Sequence, residues 1–479
     1  MAEEIVSNLS ADVVIIGGGG AGLAAAVAAA EKGAKTLVVE KRQNPGGNSS
    51  RTEGLFAVES PVQKRMNVDA RRDYFFKLAM GHDSWKLNPR IMRAFIDKSG
   101  DTIAWLENKG LTLECVRYYP NQSPLVFHCF EGGGTSYVKA MQDECSKLGV
   151  YLLKNTRAKK LVTGKNSNIT GLIAVSDDKE IQISAKSIII ATGGYAGNKR
   201  LLKKYCRFNL EPIKCYGLPH KGDGLLMAME AGAANEGLGI LHIGGPDFIG
   251  ERLLRAIPWE PNIVWVNKYG ERFADEAMNY LPFSGTHAVM RQPDSTCYTL
   301  FDDGIKQRMM NTGVIKGWGT RIPATTKLTY LEEELIKEAK KGYLMISESL
   351  TAIAGWMGAK PEILEATIVE YNNFCDNKHD AIFAKDSRFL EPLRTPPFYA
   401  LKCRLGFLQT IGGIKINHNM EVLNKSDIPV PGLFSAGSDA GGWETDTYNL
   451  EITGAALGFA VNSGRIAGEN AAGYSKGRN

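Results

Sequence analysis

Apolar residues fall into two patterns along the chain. Short unbroken runs, Val13-Val-Ile-Ile16, Leu37-Val-Val39 and Ile188-Ile-Ile190, read as strands buried on both faces. An Ala-rich stretch over residues 22–30, closed by Glu31 and Lys32, lies between the first two and predicts a helix. Gly454-Ala-Ala-Leu-Gly458 opens a second small-residue helix, expected to run to about Gly473. From residue 233 to 405 the pattern changes. An aromatic-rich strand, Asn262-Ile-Val-Trp-Val266, is followed by amphipathic helices over Leu331 to Lys341 and Glu362 to Asn373.

The turns between the buried runs carry the chemistry. Gly17-Gly-Gly-Gly-Ala-Gly22 contains Gly-x-Gly-x-x-Gly between a strand and a helix. In that pattern Gly17 permits the tight turn, Gly19 lets backbone approach a pyrophosphate, and Gly22 lets helix pack on strand. The helix start, with Gly20 and Ala21, offers unpaired N–H groups to the anion. Glu40 lies 40 − 17 = 23 residues past the first glycine, where a carboxylate accepts from ribose hydroxyls. Asn44-Pro-Gly-Gly-Asn-Ser-Ser50 is a donor-rich loop able to wrap the same pyrophosphate. Ala191-Thr-Gly-Gly194, Gly432-Leu-Phe-Ser-Ala-Gly437 and the final helix add further contacts, so both ends of the chain build one nucleotide site. The expected fold class is α/β: a discontinuous Rossmann-type dinucleotide-binding domain, residues 1–232 and 406–479, interrupted by an inserted α+β domain over 233–405.

Composition narrows the class. The chain has 479 residues, 44% apolar and 23% charged, with a net charge of +5. Lys and Arg are scattered, which excludes a nucleic-acid footprint. No apolar run is long enough to span a bilayer and no secretory leader is expected, so the expected location is cytoplasmic. Eight cysteines include no Cys-x-x-Cys pair, so no metal centre is expected.

With these motifs in hand, the chain resembles the FAD-dependent fumarate reductase/succinate dehydrogenase flavoprotein superfamily, in its ketosteroid dehydrogenase-like branch. The resemblance adds Glu131-Gly-Gly-Gly134, Gly222-Asp-Gly224, Tyr269-Gly-Glu-Arg-Phe-Ala-Asp-Glu276 and Thr410-Ile-Gly-Gly413 to the segments above. It implies FAD, a small-molecule substrate held between flavin and cap, and hydride exchange between flavin N5 and a carbon next to an activating carbonyl. It implies cofactor contacts at Gly17, Gly19, Gly20, Ala21, Gly22, Glu40, Lys41, Gly46, Gly47, Asn48, Ser49, Thr52 and Gly54. Further contacts are implied at Ala158, Thr192, Gly193, Gly194, Asp223, Gly437, Ser438, Ala456 and Leu457. Glu53 departs from the family, standing where the first of two adjacent glycines is usual.

The same comparison bears on substrate. Tyr280 stands where dicarboxylate enzymes place a proton-donating arginine, and where ketosteroid dehydrogenases place a proton-exchanging tyrosine. Gln409 and Glu451 replace a histidine and an arginine, and Gly244, with His242 nearby, takes the place of a second histidine. Arg matches a carboxylate with its planar fork, so these replacements argue against fumarate or succinate. Tyr280 is the expected proton-transfer residue, and Tyr448 is a candidate for polarising the substrate. Tyr118, Tyr119, Phe127 and His128 are candidates for a wall against a flat substrate, while Arg255, His287 and Arg291 read as surface or structural. The preferred reading is an oxidoreductase for a neutral, cyclic enone or ketone, steroid- or polyphenol-like, working more as a reductase with an external electron donor or acceptor. A carboxylate reductase that recruits Arg255 or Arg291, and an electron-transfer flavoprotein, stay open.

Overall fold

A computed structural model describes residues 8–165, 167–280, 284–446, 448–449 and 451–477. Its centre is a parallel array. Strand Asn8–Ile16 pairs on one side with Thr36–Val39 and on the other with Lys179–Ile190. Tyr151–Leu153 extends the sheet beyond Thr36–Val39, and Pro429–Ser435 extends it beyond Lys179–Ile190. Val13, Val14, Ile15, Ile188, Ile189 and Ile190 are all buried, as unbroken apolar runs require when both faces are covered.

One covering layer is made of two small-residue helices, Gly20–Glu31 and Ala455–Ser475. They pack backbone to backbone: a Cβ on Gly464 or Gly468 would collide with the carbonyl oxygens of Ala21 and Ala25. Residues 440 positions apart in the chain thus share one seam, and the nucleotide strand is fixed by both.

A second, six-stranded sheet is organised on the 17-residue strand Phe398–Ile414. Asn235–Phe248, Thr296–Asp302 and Leu344–Ser347 pair with it antiparallel, and Lys214–Cys215 parallel. The amphipathic helices are Leu331–Lys340 and Pro361–Asp376. A three-stranded sheet, Gly54–Phe56, Phe127–Phe130 and Leu113–Val116, lies at the junction and presents Glu53, Tyr118 and Phe127. The short basic run Lys199, Arg200, Lys203 and Lys204 lies exposed on a helix. Among the described residues no helix is long and apolar enough to cross a membrane.

Candidate functional site

The strand Asn8–Ile16 ends in Gly17, whose φ of +106° and close approach to the Ala191 carbonyl admit no side chain. Helix Gly20–Glu31 starts immediately after, with Gly19 as its first cap. A Cβ on Gly19 would meet nothing nearer than the Gly46 oxygen at 4.0 Å, so this turn opens onto free space beside unpaired helical N–H groups. The Gly46 N–H donates to the Gly18 carbonyl at 2.7 Å, and the Gly20 N–H to Ser49 Oγ at 3.2 Å, which closes the donor-rich loop around the turn.

Glu40 is buried and already oriented. Its Oε2 accepts the Gly18 N–H at 2.6 Å and its Oε1 accepts the Arg42 N–H at 2.9 Å. Asp223 faces the same space and is held by Lys41 Nζ at 3.2 Å and Arg157 Nη2 at 2.7 Å. His220 lies over Gly193 in the same cleft, and burial with Lys41 and Arg42 nearby lowers its imidazole to about 4.

These groups line one cavity of about 860 Å³ that runs on beneath the second sheet. Of the cofactor residues expected from sequence, Gly17, Gly19, Gly20, Ala21, Glu40, Lys41, Gly47, Asn48, Ser49, Thr52 and Gly54 line it. So do Ala158, Thr192, Gly193, Asp223, Gly437, Ser438, Ala456 and Leu457. Gly22, Gly46 and Gly194 stand behind the wall, against the Gly17 carbonyl, Val138 and Thr410 respectively. An open glycine turn, a pre-oriented acid and a row of backbone donors fit a dinucleotide.

Asp439 was not foreseen. Its buried carboxylate accepts the N–H groups of Thr192, Gly193 (3.0 Å) and Gly194 (3.1 Å), together with the Thr192 hydroxyl. It ties the Ala191–Gly194 turn to the turn after Pro429–Ser435.

The far end of the cavity is aromatic. Tyr118 packs edge-on against Tyr119 and Phe127, each at 4.9 Å between ring centres. Tyr216, Trp259 and Trp318 continue the lining. His128 does not: its Nε2 meets Ser60 Oγ at 2.7 Å in the core behind. His242 stacks on Tyr448 at 3.9 Å, and burial lowers its imidazole to about 4. The Tyr448 hydroxyl accepts the Ala456 N–H at 2.8 Å, at the first turn of helix Ala455–Ser475. Burial pushes this phenol above its ordinary value, which keeps it protonated.

Three sequence expectations change here. Tyr280 is not among the cavity-lining residues; it ends a 3-10 turn with its ring on Phe389 at 5.2 Å. Glu451, which takes the place of a family arginine, is exposed and outside the lining. Arginines do reach the cavity: Arg255, named above as one a carboxylate reductase could recruit, and Arg252 and Arg321, which were not foreseen. Arg252 and Arg321 flank the Trp318 ring at 5.4 and 5.1 Å, and Arg321 is ion-paired with Glu53. Arg255 lies over Tyr216 at 4.7 Å and is attracted to buried Asp247, while its Nε has no hydrogen-bond partner among the described residues. Arg291 and His287 are exposed and outside the lining.

Residues 12–451 match the family model described as "FAD binding domain". The chain belongs to that FAD-binding family. It is similar to a vinyl phenol reductase of Lactiplantibacillus plantarum, 32% identical over 97% of this chain and 97% of that protein. Among solved structures it resembles the open conformation of a flavocytochrome c3 fumarate reductase (TM-score 0.75, 25% identity, 98% of this chain and 79% of that one). It shares its fold with a 3-ketosteroid-Δ4-(5α)-dehydrogenase from Rhodococcus jostii (TM-score 0.77, 22% identity, 98% of each chain). This member of the FAD-binding family is an FAD-dependent oxidoreductase acting on CH–CH bonds, of the fumarate reductase-like kind.

Proposed function

We propose that this enzyme reduces the C=C bond of a flat, neutral, ring-conjugated alkene of the vinyl phenol type. The observation that carries the reading is the aromatic end of the cavity, where Tyr118, Tyr119, Phe127 and Trp259 face a space in which Arg321 is paired with Glu53 while Arg252 and Arg255 lie over ring faces. Flat apolar rings gain about 25 cal/mol for each Å² removed from water in such a space. Similarity to a vinyl phenol reductase along the full length supports the substrate class.

The lining residues from Gly17 to Leu457 would hold FAD, which, once reduced by an external donor, would supply the hydride. The chain supplies the proton and the orientation. Tyr448 delivers the proton to the alkene carbon, and the Ala456 N–H with the dipole of the final helix stabilises the phenolate left behind. His242 stays neutral beside it and keeps the Tyr448 ring in place. Eight free thiols, four of them buried, support a cytoplasmic setting.

A second reading, reduction of an α,β-unsaturated carboxylate, is favoured by the unpartnered Nε of Arg255. One experiment separates them. Anaerobic holoenzyme is supplied with reduced viologen and either 4-vinylphenol or fumarate. Oxidation of the dye by 4-vinylphenol is the expected result, with Y448F slower by about 10²–10⁴ and still carrying FAD. Y280F stays near wild type. Turnover of fumarate alone, or an unimpaired Y448F, would overturn the proposal.

A further inference from the structure

We propose that Glu53 sets the substrate charge this enzyme accepts: it holds Arg321 in an ion pair at the cavity wall and so denies that guanidinium to a substrate carboxylate. The inference rests on the proposed function only in taking a flat aryl alkene as the occupant.

The arrangement joins two parts of the molecule. Glu53 precedes strand Gly54–Phe56 in the junction sheet, and its partners come from a cap hairpin closed by Trp318 and Ile322. The Trp318 N–H donates to the Ile322 carbonyl at 2.7 Å, and Gly319 at the tip has φ +57° with Tyr118 against it. Both oxygens of the Glu53 carboxylate are used: Arg321 Nε pairs with Oε1, and the Thr320 hydroxyl donates to Oε2. Glu53 and Arg321 both line the cavity. The guanidinium lies 5.1 Å from the Trp318 ring centre, so the same pair fixes one aromatic wall.

Charge counting makes the pair decisive. The far end of the cavity holds Arg252, Arg255 and Arg321 against Asp247 and Glu53. Arg255 lies over the Tyr216 ring instead, and burial raises the Asp247 carboxyl against the pull of Arg255 and Arg404. Without Glu53, Arg321 becomes an uncompensated cation beside an aryl-sized space, which is a carboxylate site. With Glu53, the Arg321 guanidinium comes with a like charge that an incoming carboxylate must meet. Both side chains are about a quarter to a third exposed, 23% and 35%, so the effect is screened and salt-dependent.

The test compares 4-vinylphenol with 4-hydroxycinnamate, the same ring bearing a carboxylate, by titrating oxidised holoenzyme and following the flavin absorbance. E53Q is expected to tighten 4-hydroxycinnamate binding about 10- to 100-fold while 4-vinylphenol moves far less. The gain disappears in E53Q/R321Q and shrinks with added salt. Equal shifts for both ligands in E53Q, or a gain that survives in E53Q/R321Q, overturn the inference. Should E53Q fail to fold, R321Q decides: Glu53 left alone weakens 4-hydroxycinnamate selectively, and equal effects on both ligands again overturn it. Wild-type enzyme that binds both probes but reduces neither removes the proposed function and leaves this inference standing. The proposed function survives, and this inference falls, if 4-vinylphenol is reduced and E53Q shows no selectivity change. Binding of neither probe removes both.

Discussion

Glutamine in place of Glu40 changes three atoms of the cofactor cleft, and its cost can be worked out. The native carboxylate accepts two backbone N–H groups, from Gly18 at 2.6 Å and Arg42 at 2.9 Å, one on each oxygen. Each oxygen keeps a spare lone pair for a ribose hydroxyl. Glutamine has one acceptor oxygen; turned to either N–H, it leaves the other N–H facing an amide that can only donate. FAD then loses one charge-assisted hydrogen bond, worth about 1.5–3 kcal/mol. Removing one negative charge near a pyrophosphate works the other way, by about 1 kcal/mol with Lys41 and Arg42 adjoining the site. The net of about 0.5–2 kcal/mol, at 1.4 kcal/mol per decade, should weaken FAD binding by about 2- to 30-fold. Deflavinated protein titrated with FAD, followed by quenching of flavin fluorescence, measures this directly. A dissociation constant equal to wild type would refute the assignment of Glu40 to the ribose.

Two other outcomes follow from packing and burial. G468V drives a branched side chain into the Ala25 carbonyl, which cannot yield, so unfolding free energy should drop by about 1–3 kcal/mol; an unchanged denaturation midpoint and full FAD content would contradict the seam. His242, with its imidazole lowered from 6.5 to about 4 by burial, binds its proton more weakly folded than unfolded. Its share of stability is therefore intact above pH 6.5, is lost as pH falls toward 4, and amounts to about 3 kcal/mol. Urea unfolding at pH 7.5 and 4.5 should show a shallower acid loss for H242F than for wild type, and parallel curves would exclude it.

The cofactor half of this site was legible because backbone approach leaves its mark on composition. Gly17 and Gly19 exist where no side chain fits or where the cleft must stay open, and Glu40 falls at a fixed distance along a βαβ unit. Asp439 left no such mark: its partners lie 245 to 247 residues away, and one buried acid among 52 acidic residues looks like any other. Arg252 and Arg321 were equally hidden, since a 3-10 helix and a hairpin tip have no periodicity to reveal which way they face. Tyr280 is the opposite case. Its position matched a family pattern, and in the structure its ring packs on Phe389, away from the cavity lining. A matching place in a sequence fixes the backbone far better than it fixes where a side chain ends up.

The seam between Gly20–Glu31 and Ala455–Ser475 has a bearing on how the protein is made. During translation the first strand, the glycine turn and its helix emerge long before helix Ala455–Ser475, and the groove along Gly20–Glu31 lacks that cover until then. A stalled or truncated chain ending before residue 455 would present a bare alanine stripe and half a cofactor cleft. Closure of the flavin cleft is thereby postponed until helix Ala455–Ser475 has been made, and quality control that senses exposed apolar surface can tell a chain lacking that helix from one that has it.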